Sequence, residues 1–94
     1  MHYHKNTNRL TVELQGNFNL DVVRKIENLP LEQKDLYIDL EQSRFVDTEA
    51  IIFLHKLIQN QQVIRLKNPP KLFFEALRIL GLHKVWDLKN IVER

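Results

Sequence analysis

The chemistry open to this chain is that of hydroxyl, carboxylate, imidazole and amine groups, because none of its 94 residues is cysteine. No disulfide framework, zinc–cysteine site or thiol nucleophile can therefore form. The four histidines do not follow a metal-binding spacing such as HExxH, and only His2 and His4 lie near each other, in a terminus expected to fray. His55 lies beside the apolar stripe of a predicted helix and is interpreted as a half-buried side chain. The sequence thus predicts no metal site and no cofactor.

Nucleotide-dependent and serine-hydrolase catalysis both lack their usual motifs. Gly16 and Gly81 are the only glycines, too few for a phosphate-binding P-loop or a dinucleotide fingerprint. Ser43 is the only serine, and its neighbours are larger than a sharp nucleophile turn allows. Asp47 and Glu49 could transfer protons, but acids at a helix start more often interact with the helix dipole. We therefore predict a binding protein and not an enzyme.

Length and composition predict one soluble domain that spans residues 1–94. Hydrophobic residues make up 44% of the chain and charged residues 28%, close to the averages for globular domains. No apolar run approaches the roughly 20 residues that a transmembrane helix needs, and the first residues lack a signal-peptide core. We therefore expect a cytoplasmic protein without membrane insertion. The 14 basic and 12 acidic residues are interspersed, which argues against nucleic-acid binding because no basic stripe forms.

Strand patterns recur along the chain. Residues 10–14, 36–40 and 63–67 alternate apolar and polar side chains, as strands with one buried face do. Residues 3–7 form a weaker candidate strand before them. Residues 85–88 form a short final candidate, followed by a helical turn.

Three amphipathic helices are predicted between these strands. The first covers residues 20–29. The second begins at Asp47 or Thr48, either of which could cap it, and runs to about residue 59. The third ends before Gly81, which suits the left-handed position that follows a helix.

This order of elements predicts an α/β fold with a mostly parallel sheet of four to five strands and right-handed crossovers. Strands covered by helices on both faces are continuously apolar, whereas these strands alternate. We therefore expect two layers, with the helices on one face of the sheet and the other face more open.

The start of the second helix is the most informative surface in the sequence. On a helical wheel at about 100° per residue, Glu49, Phe53 and Lys56 point away from the apolar face, and Ile52 lies at its boundary. Phe53 is therefore expected to be exposed, either as a partner anchor or as an ordinary surface residue. Thr48 could be a phosphorylation site or simply the N-cap.

The chain resembles the STAS domains, the family of bacterial anti-sigma factor antagonists. The resemblance lies in the run RFVDTEAIIFL at residues 44–54 after the strand LYIDL, in the opening segment up to residue 21, and in the closing segment GLHKVWDL at residues 81–88. It covers roughly residues 9–88. It depends on the combined order of these segments and not on any single motif.

The resemblance implies regulation by phosphorylation. In the family, a partner kinase that is also an anti-sigma factor phosphorylates a hydroxyl in the turn after the third strand, and the unphosphorylated form binds that partner. Asp47 matches the family's acid and Thr48 its first hydroxyl position. Glu49 occupies the second position, where the usual antagonists carry the phosphorylated serine, and Ala50 replaces glycine. If phosphorylation occurs at the first position, Thr48 retains the switch. If it occurs at the second, Glu49 supplies a fixed charge there and the switch is absent.

The prediction is thus a non-enzymatic STAS regulatory domain, similar to anti-sigma factor antagonists, that binds a protein through the start of its second helix. The expected partner is an anti-sigma factor or switch kinase, with stressosome components as a related class. The alternative is an accessory subunit of an ABC-type phospholipid transporter that docks on the ATPase, and homodimer formation is left open. Thr48 is the expected phosphorylation site, and the expected partner-binding residues are Asp47, Thr48, Glu49, Ile52, Phe53 and Lys56.

Overall fold

The computed structural model describes residues 1–29 and 35–94 of the chain, and strands and helices alternate there largely as predicted. The first helix is two residues shorter than expected, because its C-cap is Asn28. The strand predicted at residues 3–7 is present, but it covers His2–Lys5. The elements in chain order are β1 (His2–Lys5), β2 (Arg9–Glu13), α1 (Leu20–Glu27), β3 (Asp35–Asp39), α2 (Thr48–Gln59), β4 (Ile64–Lys67), α3 (Lys71–Ile79), α4 (Leu88–Ile91) and β5 (Val92–Glu93).

The described strands form a five-stranded sheet in the order β1-β2-β3-β4-β5. β1 and β2 are antiparallel because a tight turn joins them, in which Asn6 Oδ1 accepts bonds from the backbone amides of Asn8 (3.0 Å) and Arg9 (2.8 Å). The remaining pairs are parallel, since a helix separates each strand from the next. The sheet is therefore mostly parallel, as predicted.

One face of the sheet lies in the hydrophobic core and the other faces solvent. Side chains directly opposite one another in neighbouring strands share a face. Thr11, Tyr37 and Arg65 form one such row on the face that points away from the core, and each of them is half-buried or exposed. This pattern is consistent with the two-layer arrangement predicted from the alternating strands. The buried rows are Leu10, Leu36 and Ile64, and Val12, Ile38 and Leu66.

Tyr37 lies near the middle of the solvent-facing side. Its hydroxyl donates a hydrogen bond to Glu93 Oε1 (3.1 Å), and the Arg9 guanidinium lies 5.0 Å from the centroid of its ring. Partial burial, together with the hydrogen bond to Glu93, raises the pKa of the Tyr37 hydroxyl above its usual value. These contacts link β2, β3 and β5 across the open face.

The C-terminal segment differs from the prediction of a strand at residues 85–88. Trp86 is buried, and its Nε1 donates a hydrogen bond to His55 Nδ1 (3.0 Å), which confirms His55 as a half-buried helix residue. The Trp86 backbone amide donates to the carbonyl of Leu82 (3.0 Å), so this amide is used within a turn and not in a ladder. The edge strand beside β4 comes later in the chain, as β5.

Two helices end in the same pattern, with one residue in the left-handed conformation. Gly81 (φ +74°) follows α3 as predicted, and Gln61 (φ +64°) holds the equivalent position after α2. In each case this residue and the next donate backbone bonds to carbonyls three and five residues earlier, at 2.9 to 3.1 Å. Glycine adopts this conformation without steric cost, whereas Gln61 adopts it at a cost of about 1 kcal/mol.

Candidate interaction surface

The starts of α1 and α2 lie side by side because the loops before them are hydrogen-bonded to each other. Phe18 and Val46 form a parallel bridge, in which the Phe18 amide donates to the Phe45 carbonyl (2.9 Å) and the Asp47 amide donates to the Phe18 carbonyl (3.0 Å). The Phe18 and Val46 side chains are buried on the inner side of this bridge. The two helix starts therefore form a continuous surface.

Ser43 provides a second link between the same two loops. Its side chain is buried, and its hydroxyl donates a hydrogen bond of 2.6 Å to the Gly16 carbonyl. This bond uses the hydroxyl proton of Ser43. It holds the loop after β3 against the loop after β2. Hydrogen bonds between the two loops therefore fix the position of Thr48 relative to α1.

The helix caps answer the question that the sequence left open at α2. The side chain of Asn19 accepts a bond from the Val22 amide (3.2 Å) and caps α1, and that of Asp47 accepts from the Ala50 amide (3.0 Å) and caps α2. Thr48 is therefore the first helical residue and not the cap. Its side chain is exposed, and no residue in the described part of the chain forms a hydrogen bond with its hydroxyl. That hydroxyl is free to contact another molecule.

The predicted exposure of Phe53 is wrong. The side chain is only 7% exposed and belongs to the hydrophobic core. The wheel considered α2 alone, whereas α1 also packs beside this helix in the structure. The buried residues of α2, which include Ile51, Phe53 and Leu54, cover a wider face than one apolar stripe. This ring is not available as a surface anchor.

The structure brings the other predicted residues together. Thr48, Ile52 and Lys56 are exposed and separated by four residues each, so they lie along one line of the helix. Asp47 and Glu49 are exposed at the start of that line. Five of the six predicted partner-binding residues thus share one accessible surface.

Two apolar residues of this surface were missed by the sequence analysis. Phe45 is 51% exposed, because the bridge turns its neighbour Val46 inward. Leu20 is 38% exposed and is the first residue of α1, which matches the place of Thr48 in α2. The sequence analysis assigned no orientation to the adjacent apolar residues Phe45 and Val46, and the bridge places Val46 inward. We define the α1/α2 surface as Leu20, Phe45, Asp47, Thr48, Glu49, Ile52 and Lys56.

The charge around Thr48 is mainly negative. Asp21 at the start of α1, together with Asp47 and Glu49 at the start of α2, is exposed. Carboxylates near a helix N-terminus interact favourably with the helix dipole, which accounts for their presence here. Arg44 is an exposed cation in the loop before α2. A partner that covers Thr48 must therefore meet both apolar side chains and carboxylates.

Further observations leave this surface as the main guide to function. Within residues 1–29 and 35–94, no group of three histidine, aspartate or glutamate side chains is placed to hold a metal ion. The helices in those ranges are all too short or too polar to cross a membrane. No protein-family model matches the chain, and no curated protein sequence matches it. The function of the α1/α2 surface must therefore be inferred from its own geometry.

Proposed function

We propose that this protein is a non-enzymatic regulatory domain of the STAS type that binds a protein partner through the α1/α2 surface and is switched by phosphorylation of Thr48. The observation that carries the proposal is the exposed Thr48 hydroxyl, which has no hydrogen-bond partner in the described residues because Asp47 caps α2 in its place. A threonine that served only as a cap would have its hydroxyl bonded to a backbone amide.

The covalent step requires an external kinase. Transfer of the terminal phosphoryl group of ATP forms a bond between Thr48 Oγ1 and phosphorus, releases ADP and passes the hydroxyl proton to the kinase. The product carries close to two negative charges at neutral pH. The exposed position of Thr48 on a helix start allows a kinase to reach it without unfolding the domain.

Phosphorylation of Thr48 is expected to weaken partner binding. The added charge would lie beside Asp47 and Glu49 and between the apolar side chains of the α1/α2 surface. A partner that packs on those side chains would have to bury the phosphate, and burial of an unpaired charge is costly. This direction agrees with the STAS resemblance, in which the unphosphorylated form binds.

Glu49 does not replace the switch in this proposal. A glutamate side chain does not accept a phosphoryl group from such a kinase, so it cannot change the charge of the surface in response to a signal. Thr48 is the residue of the pair that can change its charge. We therefore interpret Glu49 as a fixed part of the surface and Thr48 as the regulated group.

The first test identifies the kinase and the modified residue. Tagged protein is used to capture partners from its own host, and the purified partner is then incubated with ATP and with wild-type or variant protein. We expect stoichiometric phosphorylation of the wild type and none of Thr48→Ala. Thr7→Ala, which changes an exposed threonine in the β1–β2 turn, is the matched control and should be labelled like the wild type.

Two results would argue against this proposal. Full labelling of Thr48→Ala would exclude Thr48 as the site. Recovery of an ABC-type ATPase and its permease, with Thr48 unmodified, would favour the alternative of an accessory subunit of a phospholipid transporter.

A further inference from the structure

His55 on α2 and Trp86 in the turn before α4 form a side-chain hydrogen bond that joins the C-terminal part of the chain to α2. Trp86 Nε1 donates to His55 Nδ1 (3.0 Å), and the two rings are nearly parallel, with 6.3 Å between their centroids. Trp86 is only 4% exposed, and its ring centroid lies 6.0 Å from that of Phe73 on α3. The buried indole N–H is therefore satisfied by one nitrogen of one histidine.

This hydrogen bond can exist in only one protonation state of His55. The indole N–H donates and cannot accept, so the nitrogen that it meets must carry a lone pair. A neutral imidazole has one such nitrogen, whereas an imidazolium carries hydrogen on both nitrogens and has none. Protonation of Nδ1 sets two N–H groups against each other and leaves a buried donor without a partner, which is costly. Protonation of His55 and burial of Trp86 therefore oppose each other.

We propose that the His55–Trp86 pair is a proton-sensitive latch for the C-terminal segment, which we define as residues 82–93. Trp86 and Ile91 are the two residues of this segment that are buried. Its strand β5 adds a ladder of only two residue pairs with β4. Because so few contacts attach the segment, the loss of one buried hydrogen bond weakens its attachment measurably. Neutral His55 holds the segment against the core, and protonated His55 favours its release.

The charged groups around the latch do not compensate for a proton on His55. The elements that carry or contact the pair are α2, α3, the turn after α3, and α4. Every other titratable side chain on them is exposed, and none forms an ion pair or a hydrogen bond with His55 in the described residues. The carboxylate of Asp87, next to Trp86 in the chain, accepts a hydrogen bond from Asn90 Nδ2 (2.6 Å). These side chains are Glu49, Lys56, Lys71, Glu75, Arg78, His83, Lys84, Asp87 and Lys89.

Proton linkage gives the direction and size of the effect. A histidine in contact with water takes up a proton near about pH 6.5, whereas the latched form excludes that proton at His55. Lowering the pH therefore favours the released form, and the ratio of released to latched protein rises about tenfold between about pH 7.5 and about pH 5.5. No residue of the α1/α2 surface forms the bond, so this inference does not depend on the proposed function.

Urea unfolding at these two pH values tests the latch, because Trp86 is the only tryptophan and its fluorescence reports burial of the indole. The unfolding equilibrium constant of the wild type should be about tenfold larger at the lower pH. His55→Gln keeps an oxygen that can accept the bond and does not ionise, so its constant should change less than about twofold. His83→Gln makes the same change at an exposed histidine and should keep the dependence of the wild type.

Trp86→Phe tests the other member of the pair and decides the matter if His55→Gln does not fold. It removes the indole donor and keeps a buried ring, and its unfolding is followed by circular dichroism. Its constant should change less than about threefold between the two pH values, although His55 is still present. Equal constants for the wild type at both pH values, a full tenfold change in His55→Gln or Trp86→Phe, or loss of the dependence in His83→Gln would overturn the proposal.

Discussion

Replacement of Phe53 with alanine is expected to lower the free energy of unfolding by about 3–5 kcal/mol, because the substitution removes a buried ring from a packed core. The side chain is only 7% exposed, and α1 lies beside the helix that carries it. Domains of this size have a total stability of about 5–15 kcal/mol. The loss is therefore large enough to be clear in a urea or thermal unfolding experiment.

Phe53→Leu keeps the measurement informative if the alanine variant does not fold. A leucine fills much of the same space, and the expected loss is about 1 kcal/mol. An alanine variant that unfolds at the same urea concentration as the wild type would show that the ring lies on the surface, as the helical wheel predicted. The assignment of Phe53 to the hydrophobic core would then be wrong.

Replacement of Phe45 with alanine is expected to weaken partner binding and to leave the stability of the domain nearly unchanged. The ring is 51% exposed on the α1/α2 surface, close to Thr48 in the chain. We expect partner affinity to fall about 10- to 100-fold, which corresponds to about 1–3 kcal/mol for an aromatic interface anchor. Stability should change by no more than about 1 kcal/mol, since much of the ring is already in water.

Titration calorimetry with the captured partner measures this effect. Val85→Ala is the matched control, because it truncates a side chain that is 64% exposed in the turn after α3 and outside the α1/α2 surface. Its affinity for the partner should equal that of the wild type. Unchanged binding of Phe45→Ala, or an equal loss in both variants, would remove Phe45 from the docking surface.

Features that depend on neighbouring residues could be predicted from the sequence. The alternation of residues 10–14, 36–40 and 63–67 predicted strands with one buried face, and the structure has strands there. Gly81 was expected in the left-handed position after α3 and is found there at φ +74°. These features are local, since they depend on the residue types of one turn or one strand.

Features that depend on distant residues could not be predicted in this way. The burial of Phe53 in the hydrophobic core and the outward position of Phe45 beside the bridge to Phe18 both depend on how separate elements pack. Val85 and Trp86 lie in the turn before α4 and not in a strand, and Trp86 bonds to His55, which is 31 residues away in the chain. The helical wheel and the strand pattern contain no information about such contacts. The choice of Asp47 over Thr48 as the cap was likewise left open, because both side chains can accept the same bond.

The affinity of the partner for unphosphorylated protein and for protein fully phosphorylated at Thr48 is the most direct test of the proposed function. Our account predicts that phosphorylation raises the Kd at least about tenfold, or about 1.4 kcal/mol. The reason is that a bound partner must bury the charge of the phosphate beside Asp47 and Glu49. The same partner should bind Thr48→Ala without regard to kinase treatment. Equal affinity of the two forms of the wild-type protein would contradict the proposal that Thr48 switches this surface.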